Sequence, residues 1–307
     1  MTHDKWQDIN KLRLSSWKET VELNESTFII LRDLIHEKSG LYYESSKREM
    51  LGDKLIPRLQ ECSLTSFLDY YYFLKYDSNA HEEWGHLMNA LAVPETFFWR
   101  EIDPIETLVN IILPQWFTLS RKDTFRIWSA ACSTGEEPLT IAMALNEAGW
   151  FQKCNIQIFA SDASSKAIRA AREGIYRERS FRVLSPRLQS KYFMEIVDPI
   201  RKDQKAWKID ESLHKRIKWS VANLMNVWEF STLARANFIF CRNVFIYFSE
   251  QAIENTVNHF YDFMPSPSCL SISTSESLLK LKTPFELKEM GGAFIYVKST
   301  EQERSIS

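Results

Sequence analysis

The stretch Ile127-Trp128-Ser129-Ala130-Ala131-Cys132-Ser133-Thr134-Gly135-Glu136-Glu137-Pro138 decides how this chain folds. Phe125-Arg126-Ile127-Trp128 is rich in aromatic and β-branched residues and predicts a short strand. After the stretch, Leu139, Ile141, Ala142, Met143 and Leu145 have the apolar spacing of a buried helix. The turn between them is built of small residues and one glycine, which lets backbone approach a ligand closely. Strand, small-residue turn and helix form the opening unit of a nucleotide-binding α/β sheet, whose ligands lie at the C-terminal ends of strands. The other reading is an ordinary buried strand–helix turn.

The pair Glu136-Glu137 argues against a phosphate, which two carboxylates would repel. A ribose hydroxyl or a cationic ligand would instead be attracted. The turn also lacks the G-x-G-x-x-G and G-x-x-x-x-G-K-[ST] fingerprints. A ligand with an adenosine, a cationic sulfonium and no phosphate fits these features, which points to S-adenosylmethionine and methyl transfer.

The 307 residues, 45% hydrophobic and 25% charged, have a globular composition and room for two domains. A formal net charge of −2 gives no global positive field toward nucleic acid or an anionic membrane. The opening MTHDKWQDINKLRL lacks the apolar core of a secretion signal, and no apolar run nears the roughly 20 residues that span a bilayer. Cys62, Cys132, Cys154, Cys241 and Cys269 are scattered, odd in number and never spaced C-x-x-C; they read as buried small hydrophobes of a reducing compartment. The six histidines show no metal-ligand spacing. The expectation is a cytoplasmic, metal-free monomer with no membrane insertion and no nucleic-acid partner.

Residues from about 25 to 90 read as helices, with Phe28, Leu31, Leu34 and Ile35 on one face, then Leu51, Leu55 and Leu59, then Phe67, Tyr71 and Leu74. Glu44-Ser45-Ser46 offers an N-cap to the second of these helices, whose far end runs into Cys62-Ser63. From about 105 strands and helices alternate. Strands are expected at 125–129, 156–160, near 217–221, at 238–240, near 268–273 and near 293–298, with helices at 137–148, 164–173 and 249–262. The fold class is α/β: a mostly parallel, Rossmann-like sheet with a small all-α N-terminal domain. The domains are 1–90, a linker 91–104 carrying part of the active site, and 105–307.

Asp162 closes the second strand in Phe159-Ala160-Ser161-Asp162, where a carboxylate accepts ribose hydroxyls. Its competing role is to cap the following helix. Arg100, in Glu95-Thr96-Phe97-Phe98-Trp99-Arg100-Glu101, follows three aromatics; either the segment packs over a pocket with the guanidinium inward, or it is an apolar linker with a solvated arginine. In Cys241-Arg242-Asn243-Val244-Phe245-Ile246-Tyr247-Phe248, polar residues emerge where sheet ligands bind, although a tyrosine such as Tyr247 is also a common buried structural residue. Asn223-Leu224 could bound an adenine with an amide and an apolar wall.

These segments, in order, resemble the CheR-type chemotaxis receptor glutamate methyltransferases from about residue 27 to Lys298. The carriers are T-x-F-F-R-E (Thr96 to Glu101, here Thr-Phe-Phe-Trp-Arg-Glu), W-S-A-x-C-S-T-G-E-E-P (Trp128 to Pro138), Ser161-Asp162, A-R-E-G-I-Y (Ala171 to Tyr176), Asn223-Leu224, C-R-N-V-x-I-Y-F (Cys241 to Phe248) and S-E-S-L (Ser275 to Leu278). The resemblance implies S-adenosylmethionine contacts at Thr96, Arg100, Glu137, Asp162, Asn223, Leu224, Cys241 and Arg242, and places Arg100 and Tyr247 nearest the transferred methyl. It implies docking of the helical domain on a receptor's helical bundle, for which Lys47, Arg48, Lys54 and Arg58 are the candidates; a solvated face paired internally with Glu49 and Asp53 is the alternative.

The chain departs from the family pattern at Pro94, where an Asn is usual, at Ala131, and near the C-terminus, where glycines are missing. A small subdomain inserted near 185–215 is implied, and some members bind a receptor's C-terminal pentapeptide there. Phe193 to Trp207 contains no glycine and includes Pro199, so no such tether is expected. Two rivals are a nucleic-acid methyltransferase, for which no N-P-P-Y-type motif occurs, and a cofactor-binding domain that acts as a sensor or scaffold without turnover.

Overall fold

A computed structural model of the chain describes residues 21–119 and 123–299. Their contacts divide into two compact units. One extends to Val93 and takes in Tyr247–Ser249; the other comprises Pro94–Ile246 and the chain from Glu250 onward.

In the first unit, helices Glu25–Ser39, Arg48–Glu61, Phe67–Tyr76 and Ala80–Leu91 enclose a core of Phe28, Leu31, Leu34, Ile35, Leu51, Leu55, Leu59, Phe67 and Leu74. Asn24 caps the first helix by accepting the Thr27 N–H at 2.9 Å. The third helix buries Phe67 and Leu74 as expected, with one exchange on its inner face. Tyr70, not Tyr71, is buried, because its hydroxyl donates to the buried Glu83 carboxylate at 2.5 Å. Glu44-Ser45-Ser46 does not cap the second helix. Ser45–Lys47 form a 3₁₀ turn, and the α-helix starts at Arg48 without a side-chain cap.

In the second unit, β1 (Phe125–Ala130), β2 (Ile156–Asp162), β6 (Ile217–Val221), β7 (Phe238–Cys241) and β8 (Ser268–Ser271) pair in parallel; β10 (Ala293–Lys298) runs antiparallel to β8 and β9 (Glu286–Met290). The sheet order is β6-β2-β1-β7-β8-β10-β9. Strand order therefore reverses at β1, with β2 on one side and β7 on the other. Their shared C-terminal end is the topological switch point at which open α/β sheets bind ligands. The alternation read from the sequence holds to within a few residues. β9 was not foreseen: Glu-Leu-Lys-Glu-Met is an exposed edge strand with no buried face to mark it.

β3 (Ile175–Tyr176), β4 (Phe193–Val197) and β5 (Lys205–Ile209) form a separate antiparallel sheet in the order β3-β5-β4. The β4–β5 turn needs no left-handed residue. Asp198 Oδ1 accepts the N–H groups of Ile200 and Arg201, and its carboxylate pairs with Arg177 at 2.6 Å. Phe98 joins the large core, packing its ring on Tyr176, Phe181 and Phe193. Residues from Pro94 thus belong to the sheet unit, where a linker was expected.

Candidate active site at the switch point

Three turns meet at the C-terminal ends of the central strands. After β1 the chain passes through left-handed backbone at Ala131 (φ 57°), Ser133 (φ 50°) and Gly135 (φ 97°) before the helix Glu136–Glu147 begins. The glycine serves protein packing here. A Cβ on it would lie 2.8 Å from the Trp219 ring and 3.1 Å from Ala171 Cβ, so the missing side chain lets this turn close on β6 and its neighbouring helix. Trp99 (φ 67°), Glu101 (φ 45°) and Asn243 (φ 59°) are also left-handed. Five of the six non-glycine residues with positive φ among the described residues sit in these turns, so backbone strain is concentrated at the site.

The acidic pair separates into two roles. Glu136 is buried, accepting from Thr134 Oγ1 at 2.7 Å and Ser180 Oγ at 3.0 Å, and burial pushes its carboxyl up. Glu137 retains partial exposure. Its oxygens accept from Ser129 Oγ at 2.6 Å and Arg242 Nη1 at 3.2 Å. Burial raises its pKa, opposed by the Arg242 charge and the Ser129 hydrogen bond.

Asp162, at the end of β2, accepts the Ser133 N–H at 2.9 Å and the Ser164 N–H at 2.8 Å. Burial raises its pKa in spite of both. Its alternative role as helix cap is filled by Ser164, whose hydroxyl accepts the Ala167 N–H at 3.0 Å. Asp162 thereby ties the β1 turn to the end of β2.

Arg242 is the hub. Its Nη2 donates to the carbonyls of Arg100 and Glu101, each at 2.9 Å, and its guanidinium meets the Glu101 and Glu137 carboxylates at 3.3 and 3.2 Å. Arg100 donates to the Glu95 carbonyl at 2.7 Å, and its guanidinium lies 5.5 Å from the Phe97 ring centre. Arg182 lies 3.8 Å from the same ring, so Phe97 sits between two cations. The side chain of Arg100 is 26% exposed against 2% for Arg242. Of the two, Arg100 is the more accessible from solvent.

Two carboxylates that organise the site were not assigned from the sequence. Glu101 accepts from Asn243 Nδ2, Ser273 Oγ and the Thr274 N–H; burial pushes its carboxyl up, but Arg242 and these donors outweigh burial and hold it below the ordinary range. Glu276 collects four backbone N–H groups, from Ser273, Asn243, Phe245 and Ile246, at 2.8–3.2 Å. It fixes the loop after β7. Both stand in the quoted motifs, and a conformation-dependent network of this kind leaves no spacing signal.

The other candidates are distributed as follows. Thr96 is half-buried in the segment leading to Arg100. Asn223 Oδ1 accepts the Met225 N–H at 3.0 Å, and Leu224 is buried. Cys241 ends β7 with its side chain fully buried, which leaves its main chain as the part able to meet a ligand. Tyr247 packs with the helical unit rather than the sheet unit.

The basic docking set is corrected as well. Arg58 is buried in a bidentate pair with Glu83, at 2.9 and 2.6 Å, and also binds Glu61. Lys54 Nζ caps the helix Ala80–Leu91 through the carbonyls of Ala90 and Leu91. These partners are not the Glu49 and Asp53 of the solvated alternative. Lys47 is exposed and Arg48 half-exposed on the same helix entrance. No group of three His, Cys, Asp or Glu side chains that could hold a metal occurs among the described residues, and no described helix is long and apolar enough to cross a membrane.

The donor set fits S-adenosylmethionine: an acid at the end of β2 for the ribose, and a carboxylate and guanidinium for the zwitterionic methionine end. Arg242 Nε is buried without a hydrogen-bond partner among the described residues, a donor suited to a ligand oxygen. A mostly parallel sheet with this switch-point site and a separate all-α unit defines an S-adenosylmethionine-dependent methyltransferase. The chain belongs to the CheR methyltransferase family. Residues 94–293 match the CheR methyltransferase SAM-binding domain and residues 26–92 the CheR methyltransferase all-alpha domain.

Curated relatives include chemotaxis protein methyltransferase 2 of Vibrio cholerae, 31% identical over 280 residues, spanning 91% of this chain and 94% of that protein. The chemotaxis protein methyltransferase of Escherichia coli K12 is 29% identical over 284 residues, 92% and 94% of the two chains. That of Borreliella burgdorferi is 32% identical over 250 residues, 80% and 86%.

Proposed function

We propose that this enzyme methylates glutamate side chains of a chemoreceptor-like signalling protein, forming γ-methyl esters. The observation that carries the reading is the partly exposed Arg100 guanidinium, whose Nη1 donates to the Glu95 carbonyl, whose Nε lies 3.7 Å from Glu101 and which faces the Phe97 ring. An anionic acceptor matches that cation. A glutamate has a reference pKa of about 4.3 and is ionised at neutral pH, so the nucleophile needs no strong general base. S-adenosylmethionine, when bound, supplies an electrophilic methyl on a sulfonium.

The chain's residues then act by alignment. Asp162 holds the ribose, and Glu137 and Arg242 hold the methionine end. Arg100 orients the carboxylate with a share from Tyr247, and the turns around them exclude water; such positioning supplies up to about 7–11 kcal/mol. The acceptor is the helical bundle of a cytoplasmic receptor region, approached through Lys47 and Arg48. No tail-peptide tether is used: Phe193 to Trp207 contains no glycine, and its turn is closed by Asp198 on the N–H groups of Ile200 and Arg201. Arg100→Ala and Tyr247→Phe should lower turnover on receptor more than they lower affinity for S-adenosylhomocysteine. Near-wild-type rates for Arg100→Ala at saturating receptor would remove its orienting role.

A further inference from the structure

Arg100 has two carboxylate side chains for neighbours, and each is drawn off by other donors. Its Nε lies 3.7 Å from Glu101, whose oxygens accept from Arg242, Asn243, Ser273 and Thr274. Its Nη1 donates to the main-chain carbonyl of Glu95 at 2.7 Å, which brings that residue beside it as well. The Glu95 side chain turns to Arg182 instead, whose Nη2 donates to Glu95 Oε1 at 2.5 Å. The Arg182 guanidinium also lies 3.8 Å from the centre of the Phe97 ring, against 5.5 Å for Arg100. One cation therefore holds both the carboxylate and the ring that border Arg100. All four residues lie in the sheet unit, where the Phe98 N–H fastens their segment to the turn before Arg182 by donating to the Ser180 carbonyl at 2.9 Å.

The Arg182 and Glu95 side chains are 42% and 58% exposed, so their pairing adds little to folding stability. Its consequence is where the Glu95 charge lies. The hydrogen bond from Arg182, with the charges of Arg182, Arg100 and Arg179, holds the Glu95 carboxyl below the ordinary range, so it is ionised wherever an acceptor glutamate is. Released from Arg182, it would reach Arg100 by rotation about its own side-chain bonds and present the same chemical group as the acceptor. We infer that Arg182 is a positioning residue for acceptor recognition: it sequesters the Glu95 carboxylate and braces the Phe97 ring, which leaves the Arg100 guanidinium available to the incoming glutamate. The inference rests on the proposed role of Arg100 in orienting that carboxylate. Glu95 is then an internal competitor of the acceptor, kept off the cation by Arg182.

The test is a double-mutant cycle on the full chain, read as methyl transfer from labelled S-adenosylmethionine to receptor-containing membranes over a range of receptor concentrations. Arg182→Ala should raise the KM for receptor by about fivefold, the upper size for an exposed ion pair. Its kcat and its affinity for S-adenosylhomocysteine should stay within about twofold of the wild type. In a Glu95→Gln background, where no carboxylate is released, the same substitution should cost little. Arg182→Lys, which keeps a cation for Glu95, should recover most of the wild-type KM. Equal KM penalties in both backgrounds would mean that Arg182 serves structure or meets the receptor itself, and would overturn the inference, as would an unchanged KM in Arg182→Ala. Arg182→Gln carries the test if Arg182→Ala does not fold, since it keeps methylenes against Phe97 and removes the charge. Arg100→Ala is measured alongside. Near-wild-type rates for it at saturating receptor would remove the proposed role of Arg100 and this inference with it. An impaired Arg100→Ala with an indifferent Arg182→Ala would overturn the inference alone.

Discussion

Removing Arg58 should destabilise the helical unit by about 3–5 kcal/mol, the cost of breaking a buried ion pair from one side. Its guanidinium and the Glu83 carboxylate are 9% and 5% exposed, and the two side chains join helices Arg48–Glu61 and Ala80–Leu91. In Arg58→Ala, Glu83 keeps only the Tyr70 hydroxyl and the Cys62 thiol as donors. In the wild type, burial pushes Glu83 up, but Arg58 and Tyr70 outweigh it and hold its pKa below the ordinary value. A depressed folded pKa contributes stability above the unfolded value of about 4.3 and loses it as pH falls through the folded value. Without Arg58 the sign reverses, because unopposed burial favours the protonated acid; the variant should gain stability on mild acidification. Urea denaturation followed by tryptophan fluorescence measures both effects. The double variant Arg58→Met/Glu83→Met should recover stability, because an apolar pair replaces the buried charges. It should also keep methylating receptor if Arg58 is structural. A loss below about 1 kcal/mol in Arg58→Ala, or no recovery in the double variant, would refute the reasoning.

Two further outcomes are expected. Burial holds the Glu137 pKa above the ordinary value in the free protein, and the ammonium of bound S-adenosylmethionine would lower it. Binding should then release protons, and affinity should rise with pH through the raised pKa and level off above it; calorimetry in buffers of different ionisation enthalpy reads the release directly, and proton uptake would contradict the assignment. β4 is an edge strand with Met194 and Val197 exposed, so a strand edge is available in principle. Titration with a receptor tail peptide should nevertheless give no saturable binding, and micromolar binding would show that the missing glycine does not prevent tethering.

Much of this was legible in the sequence because it rests on periodicity and ordered motifs. The Phe28-to-Ile35 and Leu51-to-Leu59 faces pack as their spacing predicts, and β1, its turn and the following helix stand where Ile127 to Pro138 places them. Side-chain partners were less legible. Arg58 and Lys54 look like a basic surface in one dimension, but Glu83 and the carbonyls of Ala90 and Leu91 become their neighbours only once the helices pack. Gly135 suggested a close ligand approach, yet the atoms it accommodates belong to Trp219 and Ala171. Glu101 and Glu276 act through backbone N–H groups that converge after folding, which no residue pattern records.

The most direct measurement is the fate of the methyl group. The purified chain, methyl-labelled S-adenosylmethionine and receptor-containing membranes should yield a labelled receptor band. Its label should be released as methanol by mild alkali, as an ester requires, and mass spectrometry should locate it on glutamate side chains. Alkali-stable label, or label on glutamate-free peptides, would contradict the account.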